Sequence, residues 1–271
     1  MTNLLGIYEK ALPPALSWPK RLEEAKAAGF DFLEISIDES DERLARLKWN
    51  VSMRRELRRA SEDVGLPIDT MCLSGHRKYP LGSTNPDIEI RSLGIMQEAL
   101  TLAADLGVRI IQLAGYDVYY EESTSDTRLR FIDNLAKSVE MASSYGIILA
   151  LETMETPFCN TVQKAMNFVA KINSPYLQVY PDIGNVRNAT DNVIEDLRTG
   201  KGHIVAAHLK ETKEKIFRDL HYGEGRVDFP TYIEELLALG IHKFNAEFWF
   251  DGGDNWREEL LRANRFLKQY L

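Results

Sequence analysis

The sequence predicts a (β/α)₈ TIM barrel, and three observations support that fold class. Eight short apolar runs alternate with longer amphipathic runs along the chain. Most of the amphipathic runs end at a glycine, and a short apolar run follows within a few residues. The chain of 271 residues also has a suitable length, since barrels of this type typically contain about 250 residues.

The short apolar runs read as β-strands that are buried on both faces. They are rich in Ile, Leu, Val and Phe and show little alternation between apolar and polar residues. Parallel strands covered by helices have this composition. The predicted strands cover residues 4–8, 32–37, 68–73, 109–113, 147–152, 177–182, 203–209 and 243–248.

The amphipathic runs read as helices whose ends are marked by particular residues. The first run, residues 17–28, begins at the N-cap residue Ser17 and stops at Gly29. Glycine readily adopts the left-handed backbone conformation that ends many helices. The same pattern recurs at Gly65, Gly107, Gly146 and Gly240. A helix that stops at glycine before a buried strand is typical of α/β proteins.

We expect residues 1–271 to form a single barrel domain, because no linker-like or low-complexity stretch interrupts the series. An open, doubly wound sheet would show the same alternation of strands and helices. That alternative is disfavoured, since no glycine-rich turn of the GxGxxG type follows the first predicted strand.

Composition and charge argue against several classes of protein. Hydrophobic residues make up 44% of the chain and charged residues 27%, which is normal for a globular protein with a sizeable core. The formal net charge of −8 argues against nucleic acid as a partner. A few local cations would still suffice to bind one small phosphate ester. No apolar stretch approaches the length of about 18 residues that a membrane span needs.

Two features predict a cytoplasmic location. Cys72 and Cys159 do not form a CxxC motif and read as reduced, structural thiols. The N-terminal residues MTNLLGIYEKALPPALSW lack both a basic flank and a continuous apolar run, so they do not resemble a signal peptide.

Potential metal ligands stand at the ends of four consecutive predicted strands. In a (β/α)₈ barrel the active site lies at the C-terminal ends of the strands, and neighbouring strands lie roughly 5 Å apart. Each residue alone has an ordinary structural explanation, but four in succession indicate a site for one divalent cation. Carboxylate and imidazole ligands suit Mn²⁺, Zn²⁺, Co²⁺ or Mg²⁺. The four residues are Glu152, Asp182, His208 and Glu247.

The sequence resembles a known family over nearly its whole length. The motifs that carry the resemblance are LGIYEKALP at 5–13, MCLSGHRKYPLGS at 71–83, IQLAGYDVYYEE at 111–122, ETME at 152–155, YPDIGN at 180–185, GHIVAAHLKET at 202–212 and GEGRVDF at 223–229. They resemble the L-ribulose-5-phosphate 3-epimerases, also called L-xylulose-5-phosphate 3-epimerases, within the xylose isomerase-like sugar-phosphate isomerase/epimerase barrels. The residues around Glu247 (NAEFW) differ from the family pattern, but the glutamate is present.

The resemblance implies a small ketose phosphate as the substrate and a metal held at the four positions above. It also implies that Glu152 and Glu247 serve as acid/base groups. Epimerisation at C3 requires removal of a proton beside the carbonyl, an enediolate, and return of a proton to the opposite face. The two glutamates end predicted strands five and eight, so they can flank a flat substrate from two sides.

Other polar residues on the same face are predicted to contact the substrate. Glu155 and Asn185 could hydrogen-bond sugar hydroxyls, with helix capping as the alternative role. His76 and Arg77 follow strand three and face the sugar or the phosphate, with loop packing as the alternative for His76. The phosphate is expected near the loops after strands seven and eight. Cations and backbone N–H groups in that region are supplied by Lys210, Lys213 and Gly225.

Several other functions stay open at this point. An aldose–ketose isomerase, such as a hexulose-6-phosphate isomerase, uses similar ligands but moves a proton between C1 and C2. A 3-epimerase of non-phosphorylated ketoses is a further alternative. An endonuclease IV-type nuclease would need more histidines at the barrel mouth, and a non-catalytic sugar-binding barrel would not need both glutamates. Apolar and aromatic loop residues also allow a homodimer.

Overall fold

The computed structural model describes residues 2–271 and contains a sheet of eight β-strands. The strands are β1 Leu4–Tyr8, β2 Phe32–Ile37, β3 Ile68–Leu73, β4 Ile110–Ala114, β5 Ile148–Glu152, β6 Leu177–Tyr180, β7 Ala207–Leu209 and β8 Lys243–Ala246. Their order in the sheet is β6-β5-β4-β3-β2-β1-β8-β7.

The sheet closes into a barrel. All neighbouring strands pair in parallel. Two isolated parallel bridges, Val179 with Ile204 and Asp182 with His208, join the edges formed by β6 and β7. The predicted (β/α)₈ barrel is therefore confirmed.

Helices connect the strands and cover the outside of the barrel. They are α1 Trp18–Ala27, α2 Asp41–Ala45, α3 Val51–Val64, α4 Pro86–Leu106, α5 Ser125–Tyr145, α6 Val162–Ile172, α7 Ile183–Ala189, α8 Val193–Thr199, α9 Phe229–Ala238 and α10 Trp256–Lys268. Short 3₁₀ turns occur at Glu9–Ala11, Arg46–Lys48 and Gly75–Arg77. No helix among residues 2–271 combines the length and hydropathy needed to cross a membrane.

The predicted helix ends agree with the structure. Gly107 follows α4 with φ of 85°, and Gly146 follows α5 with φ of 64°. Both lie in the left-handed region, where a side chain would be unfavourable. The chain then turns directly into β4 and β5, which places those strands in the barrel wall.

Strands β6, β7 and β8 are shorter than the sequence predicts. The predicted run 177–182 ends at Tyr180 because Pro181 has no N–H to continue the ladder. Asp182 instead caps α7, where its Oδ1 accepts hydrogen bonds from the N–H groups of Gly184 at 2.9 Å and Asn185 at 3.3 Å. A strand end and a helix cap are therefore only two residues apart at this point of the barrel rim.

The barrel is packed with apolar residues on its outer face and contains a polar network inside. Every residue of β2 and of β4 is buried. The side chains of Glu34, Thr70 and Asn245 are completely buried. Glu34 accepts hydrogen bonds from Thr70 Oγ1 at 2.8 Å and Asn245 Nδ2 at 2.9 Å. This network links β2, β3 and β8 inside the barrel and borders the site described next.

Candidate active site

Three strand ends bring Glu152, His208 and Glu247 together at the C-terminal rim of the barrel. Nδ1 of His208 lies 2.7 Å from Oε1 of Glu152 and 3.1 Å from Oε2 of Glu247. One ligand atom from each of these three buried residues lies within 4.8 Å of the others. The three residues lie tens of positions apart in the sequence, and the barrel fold brings them together.

Asp182, the fourth predicted ligand, lies beside this cluster and is not part of the group of three. Its backbone pairs with that of His208, while its Oδ1 caps α7. Its Oδ2 forms an ion pair with the ammonium group of Lys210, which also lies 3.8 Å from Glu247 Oε2. The structure therefore places Asp182 next to Glu247, with Lys210 between them.

The carboxylates of the site differ in their tendency to hold a proton. Burial raises the pKa of Glu152 to about 7. Burial also raises the pKa of Asp182 to about 6, against the opposing charge of Lys210. For Glu247 the effect of burial is outweighed by the cations Lys210 and His208, which lower its pKa to about 2. Strongly shifted pKa values that result from burial and specific charge partners are common at functional sites.

The residues of the site fit a divalent metal ion. Oε2 of Glu247 is buried and accepts no hydrogen bond, although it faces the imidazole of His208. The three buried carboxylates form ion pairs with one ammonium and one imidazole, so an added cation would compensate negative charge. Oxygen and nitrogen ligands without a thiolate suit Mn²⁺, Zn²⁺, Co²⁺ or Mg²⁺.

The cluster borders a cavity at the barrel rim, and Glu152 and Glu247 form part of its lining. Four residues that the sequence predicts as substrate contacts line this cavity, namely Arg77, Glu155, Asn185 and Lys210. Arg77 lies over the rings of Tyr116 and Tyr119, with its guanidinium carbon 5.6 and 4.8 Å from the ring centres. The hydroxyl of Tyr116 donates a hydrogen bond to Glu155.

Three other predicted substrate contacts do not line this cavity. His76 is buried, and its Nε2 lies 3.1 Å from the carbonyl oxygen of Ser92. Lys213 is exposed and pairs through its backbone with Ile216. Gly225 lies against the carboxylate of Glu211.

The N–H groups around Gly225 are directed to a protein carboxylate. Glu211 accepts hydrogen bonds from the N–H groups of Gly223 at 2.9 Å, Thr212 at 3.0 Å and Val227 at 3.2 Å. A turn that the sequence predicts as an anion site therefore surrounds a buried glutamate of the same chain.

The structure also shows polar residues near the site that the sequence reasoning missed. Glu34 accepts a hydrogen bond from Nε2 of His208 at 2.7 Å, and Gln112 donates one to Oε2 of Glu152. The signal for both was a single polar residue within an otherwise apolar strand, FLEISI in β2 and IIQLA in β4. Two missed cations, Lys10 and Arg218, line the cavity. Lys10 lies in the 3₁₀ turn after β1 and Arg218 in the loop after β7, so no pattern within a strand marks either residue.

Comparison with known proteins identifies the family of this chain. Residues 22–270 match the family described as xylose isomerase-like TIM barrels. The chain is 44% identical over 265 residues to L-ribulose-5-phosphate 3-epimerase UlaE of Escherichia coli (Crooks strain), covering 97% of this chain and 93% of that protein. The identity and coverage are the same for the L-ribulose-5-phosphate 3-epimerase UlaE of Salmonella heidelberg.

The chain therefore belongs to the L-ribulose-5-phosphate 3-epimerase family of xylose isomerase-like TIM barrels. It is an epimerase, an enzyme of the isomerase class. The solved structure of a D-psicose 3-epimerase with D-tagatose, from Clostridium cellulolyticum H10, has the same fold, with a TM-score of 0.84 and 18% identity over 99% of both chains.

Proposed function

We propose that this protein is a metal-dependent 3-epimerase that interconverts L-ribulose 5-phosphate and L-xylulose 5-phosphate. The observation that carries the proposal is the convergence of Glu152 and Glu247 on Nδ1 of His208 inside a buried cavity. The name of the 44% identical relatives supports the choice of sugar. L-xylulose 5-phosphate follows from it, because inversion at C3 of L-ribulose 5-phosphate gives that ketose.

One divalent cation is proposed to be held by Glu152, His208 and Glu247, with Asp182 as the fourth ligand. Such a cation would act as a Lewis acid toward the substrate oxygens beside C3 and so favour loss of the C3 proton. Lys210 forms an ion pair with Asp182 in the structure. We propose that Lys210 serves as a hydrogen-bond donor to a substrate oxygen once the metal shares the carboxylates.

Proton transfer is assigned to the two glutamates. Glu152 ends β5, and Glu247 directly follows β8, so they reach the cavity from strands three steps apart in the ring. One glutamate removes the C3 proton, and the other delivers a proton to the opposite face of the enediolate. The roles exchange in the reverse reaction, because the product carries its C3 hydrogen on the other face.

Cations at the mouth of the cavity are proposed to bind the phosphate. Lys10, Arg77 and Arg218 line the same cavity as Glu152 and Glu247. Arg218 stands in the loop after β7 and stacks on Trp249, with its guanidinium carbon 4.9 Å from the ring centre. A planar guanidinium held in this way matches the geometry of a phosphate group. Contacts from His76, Lys213 and Gly225 to the substrate stay predictions.

The metal and the reaction are tested together by chelation and rescue. Protein treated with EDTA and then freed of chelator should lose turnover of L-ribulose 5-phosphate, and Mn²⁺ or Zn²⁺ should restore it. The product should be L-xylulose 5-phosphate by ¹³C NMR. Full turnover by protein shown to be metal-free would contradict the metal dependence. Formation of an aldose phosphate would instead support an aldose–ketose isomerase.

The phosphate assignment is tested with two variants of the same loop. Arg218→Gln should lower kcat/KM for L-ribulose 5-phosphate by about 10-fold or more, since hydrogen bonds to charged groups typically contribute about 1.5–3 kcal/mol. Turnover of free L-ribulose should be nearly unchanged. Lys213→Gln, on an exposed residue of that loop, is the matched control. A larger loss in Lys213→Gln than in Arg218→Gln would reverse the assignment. Equal kcat/KM for both sugars in the wild type would favour a non-phosphorylated ketose as the substrate.

Large apolar side chains are exposed at Val51, Met53, Ile90 and Leu129, and we propose a homodimer. Sedimentation equilibrium should give twice the chain mass of 30.9 kDa.

Cys72 and Cys159 are buried and free, which supports a reducing cytoplasmic location.

A further inference from the structure

Glu34 occupies an unusual position for a charged residue. It lies in the middle of β2, and its side chain is completely buried. Oε1 accepts a hydrogen bond from Nε2 of His208 at 2.7 Å and another from Nδ2 of Asn245 at 2.9 Å. A carboxylate in this environment needs several donors to offset the loss of water.

The second oxygen of Glu34 is also fully engaged. Oε2 accepts hydrogen bonds from the hydroxyls of Thr70 at 2.8 Å and Tyr180 at 3.3 Å. The four partners of the carboxylate stand on or beside β3, β6, β7 and β8. Because donors from three other strands, β3, β6 and β8, fix the carboxylate, it can in turn fix the ring of His208.

The hydrogen bond to Glu34 determines which nitrogen of His208 is free. Thr70, Tyr180 and Asn245 all donate to Glu34, and an ionised carboxylate has no hydrogen to donate. Its contact with Nε2 of His208 therefore assigns a hydrogen to that nitrogen. The other nitrogen, Nδ1, then faces Oε1 of Glu152 at 2.7 Å and Oε2 of Glu247 at 3.1 Å. A metal ion would replace the second proton of this imidazolium, on Nδ1. In the neutral ring that results, Nδ1 carries the lone pair that binds the metal.

We infer that Glu34 is a positioning residue that holds the ring and the tautomer of His208 and thereby sets the affinity of the site for a divalent cation. This inference rests on the metal dependence under the proposed function. Glu34 itself is on the opposite side of the ring from Glu152 and Glu247, so it acts through His208. Mutation of a carboxylate that orients a metal-binding histidine typically lowers metal affinity by about 10- to 100-fold.

The test is Mn²⁺ binding, followed by the EPR signal of free Mn²⁺, in wild-type and variant proteins. Glu34→Gln keeps the size of the side chain and removes its charge, so the Kd for Mn²⁺ should rise by about 10-fold or more. Asp117→Asn is the matched control, because Asp117 is also buried and accepts hydrogen bonds from the hydroxyls of Ser123 and Thr127, both at 2.7 Å. Its Kd should stay within about 2-fold of the wild-type value.

The outcomes separate this inference from the proposed function. Wild-type protein that binds Mn²⁺ with the same Kd as Glu34→Gln would overturn the inference and leave the metal dependence intact. Wild-type protein that binds neither Mn²⁺ nor Zn²⁺ would overturn both. An equal rise in Kd for Glu34→Gln and Asp117→Asn would indicate a general loss of structure and would also overturn the positioning role.

A second measurement needs no variant. In wild-type protein loaded with Zn²⁺, long-range ¹H–¹⁵N NMR distinguishes the two tautomers of His208. We expect the hydrogen on Nε2 and the metal on Nδ1. A hydrogen on Nδ1 would contradict the inference, even if Glu34→Gln did not fold.

Discussion

Two groups of buried carboxylates near the barrel rim have opposite surroundings. In the acidic site, three carboxylates (Glu152, Asp182 and Glu247) share one lysine and one histidine. In the arginine cluster, a single carboxylate, Glu9, contacts three guanidinium groups. All four carboxylates are at least nine-tenths buried, so exposure does not distinguish the two groups.

The arginine cluster follows β1 and joins it to β2 and to the helical segments after β1 and β2. Glu9 lies 2.7 Å from Arg46 and 3.1 Å from Arg21, and it also contacts Arg43. Its Oε2 accepts a further hydrogen bond from the N–H of Ser36 in β2 at 2.8 Å. Burial would raise the pKa of Glu9, but Arg46 and Arg43 outweigh it and hold that pKa below its usual value.

The balance of charge around a buried carboxylate indicates whether it serves structure or binding. Glu9 has more cations than it needs within the chain, so it is suited to joining structural elements. The acidic site has too few cations, and its net charge favours a further cation from outside the chain. Removing a carboxylate should therefore mainly affect activity at the acidic site and mainly affect stability at the arginine cluster.

The largest expected effect is on catalysis at the acidic site. Glu152→Gln should lower kcat/KM by about 10²–10⁴-fold, the range typical of a general acid or base. Stability of the metal-free protein should not fall, because burial has already raised the pKa of Glu152 to about 7. Steady-state kinetics and urea unfolding in EDTA measure the two quantities. Wild-type turnover in this variant would contradict its acid/base role.

The next effect is on stability at the arginine cluster. Glu9→Gln should lower the free energy of unfolding by about 3–5 kcal/mol, because the buried Arg21 and Arg46 and the half-buried Arg43 lose their counter-ion. Activity of the folded fraction should be nearly unchanged. Glu122→Gln, on an exposed loop residue, is the control and should alter stability by less than about 0.5 kcal/mol. A loss below 1 kcal/mol in Glu9→Gln would mean that the cluster does not stabilise the fold.

The smallest of the three effects concerns a buried group without a charged partner. Burial lowers the pKa of His76 to about 4, against about 6.5 in an unfolded chain. Between these two values the unfolded chain binds more protons, so stability contributed by neutral His76 is present above pH 6.5 and is lost as the pH falls toward 4. The full difference is at most about 3 kcal/mol.

The variant His76→Gln tests this pH dependence. Urea unfolding at pH 7.5 and pH 4.5 should show a smaller loss of stability on acidification than in the wild type. Equal losses in the two proteins would show that His76 contributes nothing to acid sensitivity.

The sequence was sufficient for the fold because the signals for it are local. Apolar strand composition and helix-ending glycines such as Gly107 and Gly146 depend only on nearby residues. The residues at strand ends were also accessible, since the barrel places the ends of parallel strands on one rim. The exact strand limits were harder to predict, because Pro181 and Asp182 end β6 earlier than the apolar pattern indicates.

Contacts between distant residues account for what the sequence did not show. Glu34 and His208 are 174 positions apart, and only the closed barrel brings them together. The ion pair of Lys210 with Asp182 likewise depends on the packing of α7 against β7. The turn around Gly225 has the composition of an anion site, but its loop folds around Glu211.

The most direct test of the central claim is exchange of substrate hydrogens in D₂O. The metal-loaded enzyme is incubated with L-ribulose 5-phosphate, and deuterium is located by NMR. Glu152 and Glu247 as the two acid/base groups predict deuterium at C3 of the epimerised product and none at C1. Deuterium at C1, or epimerisation without any deuterium at C3, would contradict the account.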